Sequence, residues 1–451
     1  MNDTICAIAT AQGVGAISII RVSGEESTKI VDKIFQGKDL TKVASHTINY
    51  GHIIDNNEVI DEVLVSVMKS PKTFTTEDVV EINTHGGIAA TNRTLELLLE
   101  NGCRLAEPGE FTKIAFLNGR IDLLEAEAIM DMIDAKTEKQ RKMAVNQIDG
   151  KTSNLINELR NDMVQIISNI NVNIDYPEYD DVDIITNDLL IPKITKLKEK
   201  IKKILKESEN GKIIKEGIKT TIIGRPNVGK SSLLNALLQE DKAIVTNIAG
   251  TTRDIVEGQI SINGILLNMI DTAGIRKTDD VVEKIGVEMS LSKIDEADLI
   301  LVILNNNEKL NETDLEILEK TKDKPSIVVI NKNDLTSKID TNVLKGRNIV
   351  YTNTVNLLGM EELKDKINKM FNLEQIKTSD YNYITNVRQI SKIKECLNKI
   401  TDINNALVDN MPLDIIEIDL RDIWSILGEI IGESYTDELL DELFSRFCVG
   451  K

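Results

Sequence analysis

The chain is poor in the groups that staple a fold or fix a metal. Its four cysteines, Cys6, Cys103, Cys396 and Cys448, show no C-x-x-C spacing, and its three histidines, His46, His52 and His85, form no ligand pattern. A disulfide framework and a structural zinc are therefore not expected, and a reducing compartment is. Aromatic residues make up only 3% of the sequence. Basic residues are outnumbered, 54 Lys plus Arg against 73 Asp plus Glu, and the formal charge of −19 repels a polyanion at long range. Any nucleic-acid partner has to be met by local basic patches. No apolar run approaches the roughly 18 residues that a membrane helix needs. The uncharged stretch from Ile5 to Ile20 follows Asp3 rather than a basic leader and is interrupted by glycine and glutamine, so a buried strand region is expected there, with no membrane span and a cytoplasmic location.

What is present describes a soluble, helix-friendly protein of several domains: 451 residues, 41% hydrophobic and 28% charged. Over residues 1–118 short apolar strands (AISIIRV, EVLVSVM, DVVEINTH) alternate with helical stretches such as TNRTLELLLENG, whose final Asn-Gly marks a helix stop. This is the pattern of a compact α/β domain. Over 119–215 the period becomes helical: Leu155, Leu159, Met163, Ile166, Ile170 and Ile174 recur every three or four residues, as do Leu190, Ile194, Leu197, Ile201 and Ile204. Pro192 fits only a first turn, and polar KESENGK, Lys206 to Lys212, is expected as a linker. Strands and helices then alternate over 216–377, implying a parallel sheet wrapped by helices, before residues 378–451 return to helices. The fold class expected is multidomain α/β plus all-α, with an α/β unit inserted into a discontinuous helical domain.

The insert carries the chemistry. GRPNVGKS, Gly224 to Ser231, fits G-x-x-x-x-G-K-[ST] between an apolar strand and the helical SLLNALL. Glycines let backbone N–H groups turn inward and the helix start adds partial positive charge, which together cradle phosphates. Lys230 is placed to reach the β and γ phosphates and Ser231 to hold magnesium. DTAG, Asp271 to Gly274, puts an aspartate where it can meet magnesium through water and a glycine N–H where it can meet the γ-phosphate. NKND, Asn331 to Asp334, ends another apolar strand; its carboxylate can accept both N1–H and N2–H of guanine, a pattern adenine lacks, which selects GTP.

The order of phosphate loop, GTTRD, DTAG and NKND resembles the Ras-like translation-factor GTPases, with Thr252 as the switch threonine that joins Ser231 on magnesium. A fifth motif is poor: Asn353-Thr354 stands where Ser-Ala is usual, and no base contact is assigned to it. Ile275 follows DTAG where many GTPases keep the glutamine that positions water. A partner's residue, another side chain of this chain or a bound cation must replace it; Glu283 is either that water-orienting base or a solvated helix glutamate. Two further readings stay open on these motifs alone: a non-catalytic regulatory GTPase switch of the ribosome-assembly type, and a folate-binding metabolic enzyme regulated by GTP. The first tends to carry basic RNA-binding modules, and neither a GXXG clamp nor a basic tail is seen.

Beyond the G motifs, DTICAIATAQGVGAISIIRVSG, GEFTKIAFLNGRIDLLEAEA, GRPNVGKSSLLNAL, IVTNIAGTTRD, DTAGIR with VEKIG, and the terminal FCVGK together resemble the MnmE (TrmE) family over the whole chain. The resemblance implies an N-terminal α/β domain that dimerises and binds folate, a discontinuous helical domain and an inserted G domain. It implies GTP contacts at Asn227, Val228, Gly229, Lys230, Ser231, Ser232, the loop Thr246, Asn247, Ile248, Ala249, Gly250, Thr251, Thr252, then Asp271, Thr272, Ala273, Gly274, and Asn331, Lys332 and Asp334. Potassium at Asn227, Thr246, Ile248 and Thr251 would replace an arginine finger, with Glu283 orienting water. Folate contacts carry over to Arg21, Glu81, Arg120 and Lys451; Arg120 stands where some members have lysine, and its hydrogen bonding differs accordingly. Cys448 matches the functional cysteine, with Lys451 favouring its thiolate. The implied activity, shared with the FAD-dependent MnmG (GidA) protein, adds an aminomethyl or carboxymethylaminomethyl group to C5 of the wobble uridine of certain tRNAs. Its one-carbon donor is 5-formyl- or methylene-tetrahydrofolate.

Asn227→Ala is then expected to abolish the potassium advantage in GTP hydrolysis while sparing nucleotide binding. Rates for the parent protein in matched potassium and sodium buffers check this, and equal rates contradict it.

Overall fold

The computed structural model describes residues 3–175, 186–240, 258–270, 293–373 and 384–450. The chain forms two compact units: Met1–Met130 with Gln147–Leu197 and Asn398–Lys451, and Asp131–Asn146 with Lys198–Leu397.

The first unit is built on seven strands: β1 Ile5–Ile8, β2 Ile17–Ser23, β3 Phe35–Gln36, β4 Thr47–Asp55, β5 Glu58–Met68, β6 Val79–His85 and β7 Arg104–Leu105. Their order across the sheet is β3-β4-β5-β6-β2-β1-β7. All neighbours run antiparallel except β1 and β7, which are parallel. Period-two alternation sets the faces: Val63, Val65 and Val67 of β5 and Ile20 and Val22 of β2 are buried in one core. Asn56 and Asn57, both at positive φ (46° and 73°), make the two-residue turn between β4 and β5, as expected for a hairpin whose central residues are left-handed. The helix Ile88–Glu100 ends just before Asn101-Gly102, where its stop signal stands. The uncharged Ile5–Ile20 stretch is two strands rather than one buried region, since residues 11–16 between them, and Ile17 at the start of β2, are exposed.

The helical part of this unit packs Lys151–Asp175 against Leu413–Ile431. The buried face is Ile156, Leu159, Met163, Ile166 and Ile170; Leu155 is only half-buried and Ile174 lies exposed near the helix end. Arg160, 5% exposed, sits in this interior with its guanidinium 4.2 Å from the Trp424 ring centre and ion-paired to Glu433. An arginine is tolerated there because the ring takes its face and the carboxylate its edge.

The second unit holds six strands, β8 Ile218–Ile223, β9 Gln259–Ile262, β10 Ile265–Met269, β11 Leu299–Asn305, β12 Ser326–Asn331 and β13 Asn348–Tyr351. The order is β13-β12-β11-β8-β10-β9, parallel except for edge strand β9. Every residue of β11 and of β12 is buried, as in a parallel sheet covered on both faces. Two apolar cores result, one on each face, the larger built with the helices Lys230–Glu240 and Met360–Met370. The segment Asp131–Asn146 belongs to this unit: Lys215 pairs with Asp131 at 2.8 Å and Gln140 Nε2 donates to the Lys215 carbonyl at 3.0 Å.

Two local expectations are corrected. Lys206–Lys212 is no linker but lies inside the helix Asn187–Glu216. Ile204, Ser208, Gly211 and Ile214 form one buried face at helical spacing, and the Ser208 hydroxyl donates to the Ile204 carbonyl at 2.7 Å; a helix-interior glycine costs only about 1 kcal/mol, which packing offsets. Pro192 falls in the second turn of the same helix rather than the first.

Candidate functional site

The phosphate loop follows β8 where the sheet order reverses, with β11 on one side of β8 and β10 on the other. In open α/β sheets ligands bind in the crevice at that point. Gly229 has φ 105°, and a Cβ there would stand 2.2 Å from the Asn331 amide nitrogen. Only glycine allows so close an approach. That amide donates to the Val228 carbonyl at 3.1 Å, while Asn331 Oδ1 accepts from the Thr354 N–H and the Thr352 hydroxyl, each at 3.3 Å. Lys332 Nζ donates to the Asn227 carbonyl at 3.0 Å. The structure thus joins the phosphate loop, the NKND loop and the segment around Asn353-Thr354 through one asparagine. Asn227 and Lys332 adopt positive φ (61° and 62°), a conformation non-glycine residues hold only where surrounding contacts impose it.

Lys230 Nζ donates to the carbonyls of Gly224 and Arg225, both at 2.8 Å, inside the loop it would open to a phosphate. Ser231 and Ser232 lie in the first turn of the helix that begins at Lys230, where backbone N–H groups lack intrahelical acceptors. An ammonium, a glycine without a Cβ and a helix start converging on one loop fit the phosphates of a nucleotide. Asp334 lies exposed beyond Lys332. Thr246, Asn247, Ile248, Ala249, Gly250, Thr251, Thr252, Asp271, Thr272, Ala273, Gly274 and Glu283 lie outside the described residues, as does Lys451.

A second centre lies in the first unit. Arg21 of β2 stands opposite Glu81 of β6 in the strand register. Its Nε and one terminal nitrogen donate to a single oxygen, Glu81 Oε1, at 2.9 and 2.8 Å, and the other terminal nitrogen donates to the Gly450 carbonyl at 3.1 Å. The guanidinium lies 6.0 Å from the Phe74 ring centre and 5.7 Å from that of Phe111. Arg120 meets the same Phe74, its carbon 5.1 Å from the ring centre and its Nη1 donating to the Phe74 carbonyl at 2.7 Å. Two of the residues expected at a folate site, Arg21 and Arg120, thus meet one phenylalanine, and a third, Glu81, is held on Arg21. Sequence reasoning missed Phe74 and Phe111, which carry no local signal beyond being aromatic in a chain with few aromatics.

The tail does not fray. Phe447 is buried against Phe444, ring centres 5.1 Å apart, and the Cys448 carbonyl accepts from the Gly109 N–H at 3.3 Å, leaving the Cys448 side chain exposed. Arg120 also borders a cavity of ≈ 430 Å³ lined by Phe116, Asp122, Glu125, Asn157 and Tyr435, within the size range of small-molecule sites. Asp122 and Glu125 cap the helix Leu123–Asp134 reciprocally, each backbone N–H donating to the other's carboxylate at 2.9 and 2.8 Å. Burial pushes both carboxyls above their ordinary range. The lining carries one cation, Arg120, against the carboxylates of Asp122, Glu125 and Glu433, with Phe116 and Tyr435 as its aromatic faces.

Gly109 locks the tail: its φ is 68°, and a Cβ would stand 2.7 Å from the Phe444 carbonyl and 2.8 Å from Phe447 Cβ. Gly109→Ala is expected to destabilise by about 1–3 kcal/mol through backbone strain, read as a lower urea midpoint, and to change the reaction rate of Cys448 with a thiol reagent. An unaltered midpoint and rate contradict this.

With these geometries in place, comparison with known proteins is specific. Residues 123–448 match the family model described as MnmE helical domain, and residues 4–120 match that described as GTP-binding protein TrmE N-terminus. The chain is 51% identical over 449 residues to the tRNA modification GTPase MnmE of Lactococcus lactis subsp. cremoris, spanning 100% of this chain and 98% of that protein. It is 52% identical over 452 residues to the protein of that name from Streptococcus gordonii, spanning 100% and 99%. Among solved structures, the G domain of the T. maritima FeoB iron transporter is 34% identical, covering 34% of this chain and 98% of its own, at a TM-score of 0.25, too loose a superposition to bear on this chain.

Proposed function

The chain belongs to the MnmE family and is a GTP hydrolase acting in tRNA modification, and from that premise we propose that it works as a potassium-dependent homodimer in the cytoplasm. With the FAD-dependent MnmG (GidA) protein it adds an aminomethyl or carboxymethylaminomethyl group to C5 of the wobble uridine. A reduced folate, 5-formyl- or methylene-tetrahydrofolate, supplies the one-carbon unit when bound.

The observation that carries this reading is the Arg21 bridge between Glu81 and the Gly450 carbonyl, which fixes the cysteine-bearing tail beside Phe74 and Arg120. Arg21, Glu81, Arg120 and Lys451 would hold the folate, the cations meeting its negative tail or carbonyls. Cys448, two residues before the bridged carbonyl, would serve as nucleophile or proton donor next to it. In the other unit Lys230 would exchange its two loop carbonyls for phosphate oxygens. Ser231 and Thr252 would hold magnesium, and Asp271 would meet it through water. Asn227, Thr246, Ile248 and Thr251 would hold potassium, and Glu283 would orient water in place of the glutamine absent at Ile275. Asp334 would read the guanine edge from the loop that Asn331 anchors, and nucleotide-dependent ordering of loops would link the two centres.

Titration of 5-formyl-tetrahydrofolate into the parent protein and into Arg120→Ala and Arg21→Ala tests the assignment. Each substitution is expected to weaken binding about tenfold or more, the loss of one charge-assisted contact. Arg120 is exposed, so its removal leaves the interior intact. Parent-like affinity in both variants contradicts the folate assignment while leaving the GTPase in place.

A further inference from the structure

Arg225 fills a position that the phosphate-loop pattern leaves unspecified, yet its side chain is firmly held. It is 17% exposed, its Nε donates to Asp314 Oδ1 at 2.8 Å, and a terminal nitrogen lies 3.1 Å from Glu308 Oε2. The Asp314 carboxylate is fully buried, 0% exposed. It also closes a capping box at the start of the helix Glu312–Lys320, accepting from the Asn311 N–H at 3.1 Å while its own N–H donates to Asn311 Oδ1 at 3.0 Å. Glu308 in turn accepts from Asn305 Nδ2 at 2.6 Å, at the end of β11.

The next residue faces the other way. The Asn306 N–H donates to the Asn331 carbonyl at 2.9 Å, its Nδ2 to the Leu335 carbonyl at 3.0 Å, and its own carbonyl accepts from the Lys338 N–H at 2.8 Å. The turn Asn305–Glu308 is therefore tied to the phosphate loop through Arg225, and through Asn306 to the first residue of NKND and to the segment that follows it. None of the ordered nucleotide motifs contains this turn. The Arg225 carbonyl is one of the two that hold Lys230, so the anchored side chain also fixes where that lysine rests.

We propose that Arg225, Asp314 and the turn Asn305–Glu308 form a brace that sets the spacing between the phosphate loop and the guanine-reading loop, making Arg225 a positioning residue for guanine discrimination. Removing the guanidinium strands a buried carboxylate and frees the turn at its phosphate-loop end. The NKND loop keeps its own hydrogen bonds but loses its fixed distance from the phosphates. Base recognition then weakens more than phosphate binding does.

Equilibrium titration with GDP and with inosine diphosphate, which lacks the exocyclic amine that Asp334 would accept from, reads this directly on the full chain. Arg225→Ala is expected to weaken GDP binding about tenfold and to shrink the preference for GDP over inosine diphosphate about threefold or more, misplacement rather than lost contact being the cause. Arg225→Lys keeps the charge but not the two-pronged fork and should fall between the two. Across a GTP titration the KM should rise more than kcat falls. Glu308→Gln, altering a half-exposed arm of the brace, should shift the preference in the same direction by less and decides the matter if Arg225→Ala fails to fold. A parent-like ratio of the two affinities in the variants, or an equal loss of both, overturns the proposal.

Discussion

One closure sets the place of the tail: Arg21, near the start of the chain, holds the carbonyl of Gly450, near its end, while pairing with Glu81 across the sheet. A charge-assisted bond spanning almost the whole sequence orders residues that would otherwise fray. Together with the packing of Leu413–Ile431 on Lys151–Asp175, it puts Met1–Met130, Gln147–Leu197 and Asn398–Lys451 in one unit, with the nucleotide-binding sheet carried as an insertion. The exposed thiol of Cys448 owes its fixed place to this closure and to the buried Phe447 beside it.

The nucleotide centre rests on a comparable economy of groups. Asn331 satisfies three segments at once, and it can do so only because residue 229 lacks a Cβ. A buried polar side chain left with an unmet group is costly, so such a hub is stable only when its partners are all in place. The left-handed backbone at Asn227 and Lys332 is the local cost of bringing these loops together.

Much of this was legible in the sequence, for identifiable reasons. The strand-loop-helix context of GRPNVGKS and the apolar runs Leu299–Leu304 and Ile327–Ile330, each bounded by polar residues, point to both the parallel sheet and the loop at its end. KESENGK was illegible as helix because its polar residues and glycine also spell a linker; what decides is the buried face of Ile204, Ser208, Gly211 and Ile214, which needs tertiary contact to be seen. Leu155 and Ile156 illustrate the same limit, since a helical period locates a face only to within one residue. The brace at Arg225 and the Phe74 platform join residues tens of positions apart, and no local spacing encodes them. Thr354, in a motif too degenerate to assign, shows its role through its backbone N–H, which any residue type supplies.

The most direct measurement is mass spectrometry of tRNA nucleosides after incubation with MnmG, FAD, a reduced folate, GTP and potassium, comparing the parent protein with Cys448→Ser. A C5-aminomethylated uridine that forms with the parent and disappears with the serine variant is the expected result, tying the closed tail to the chemistry. Modification that survives the substitution would reduce Cys448 to a structural thiol, and its absence with both proteins would contradict the uridine-modifying role itself.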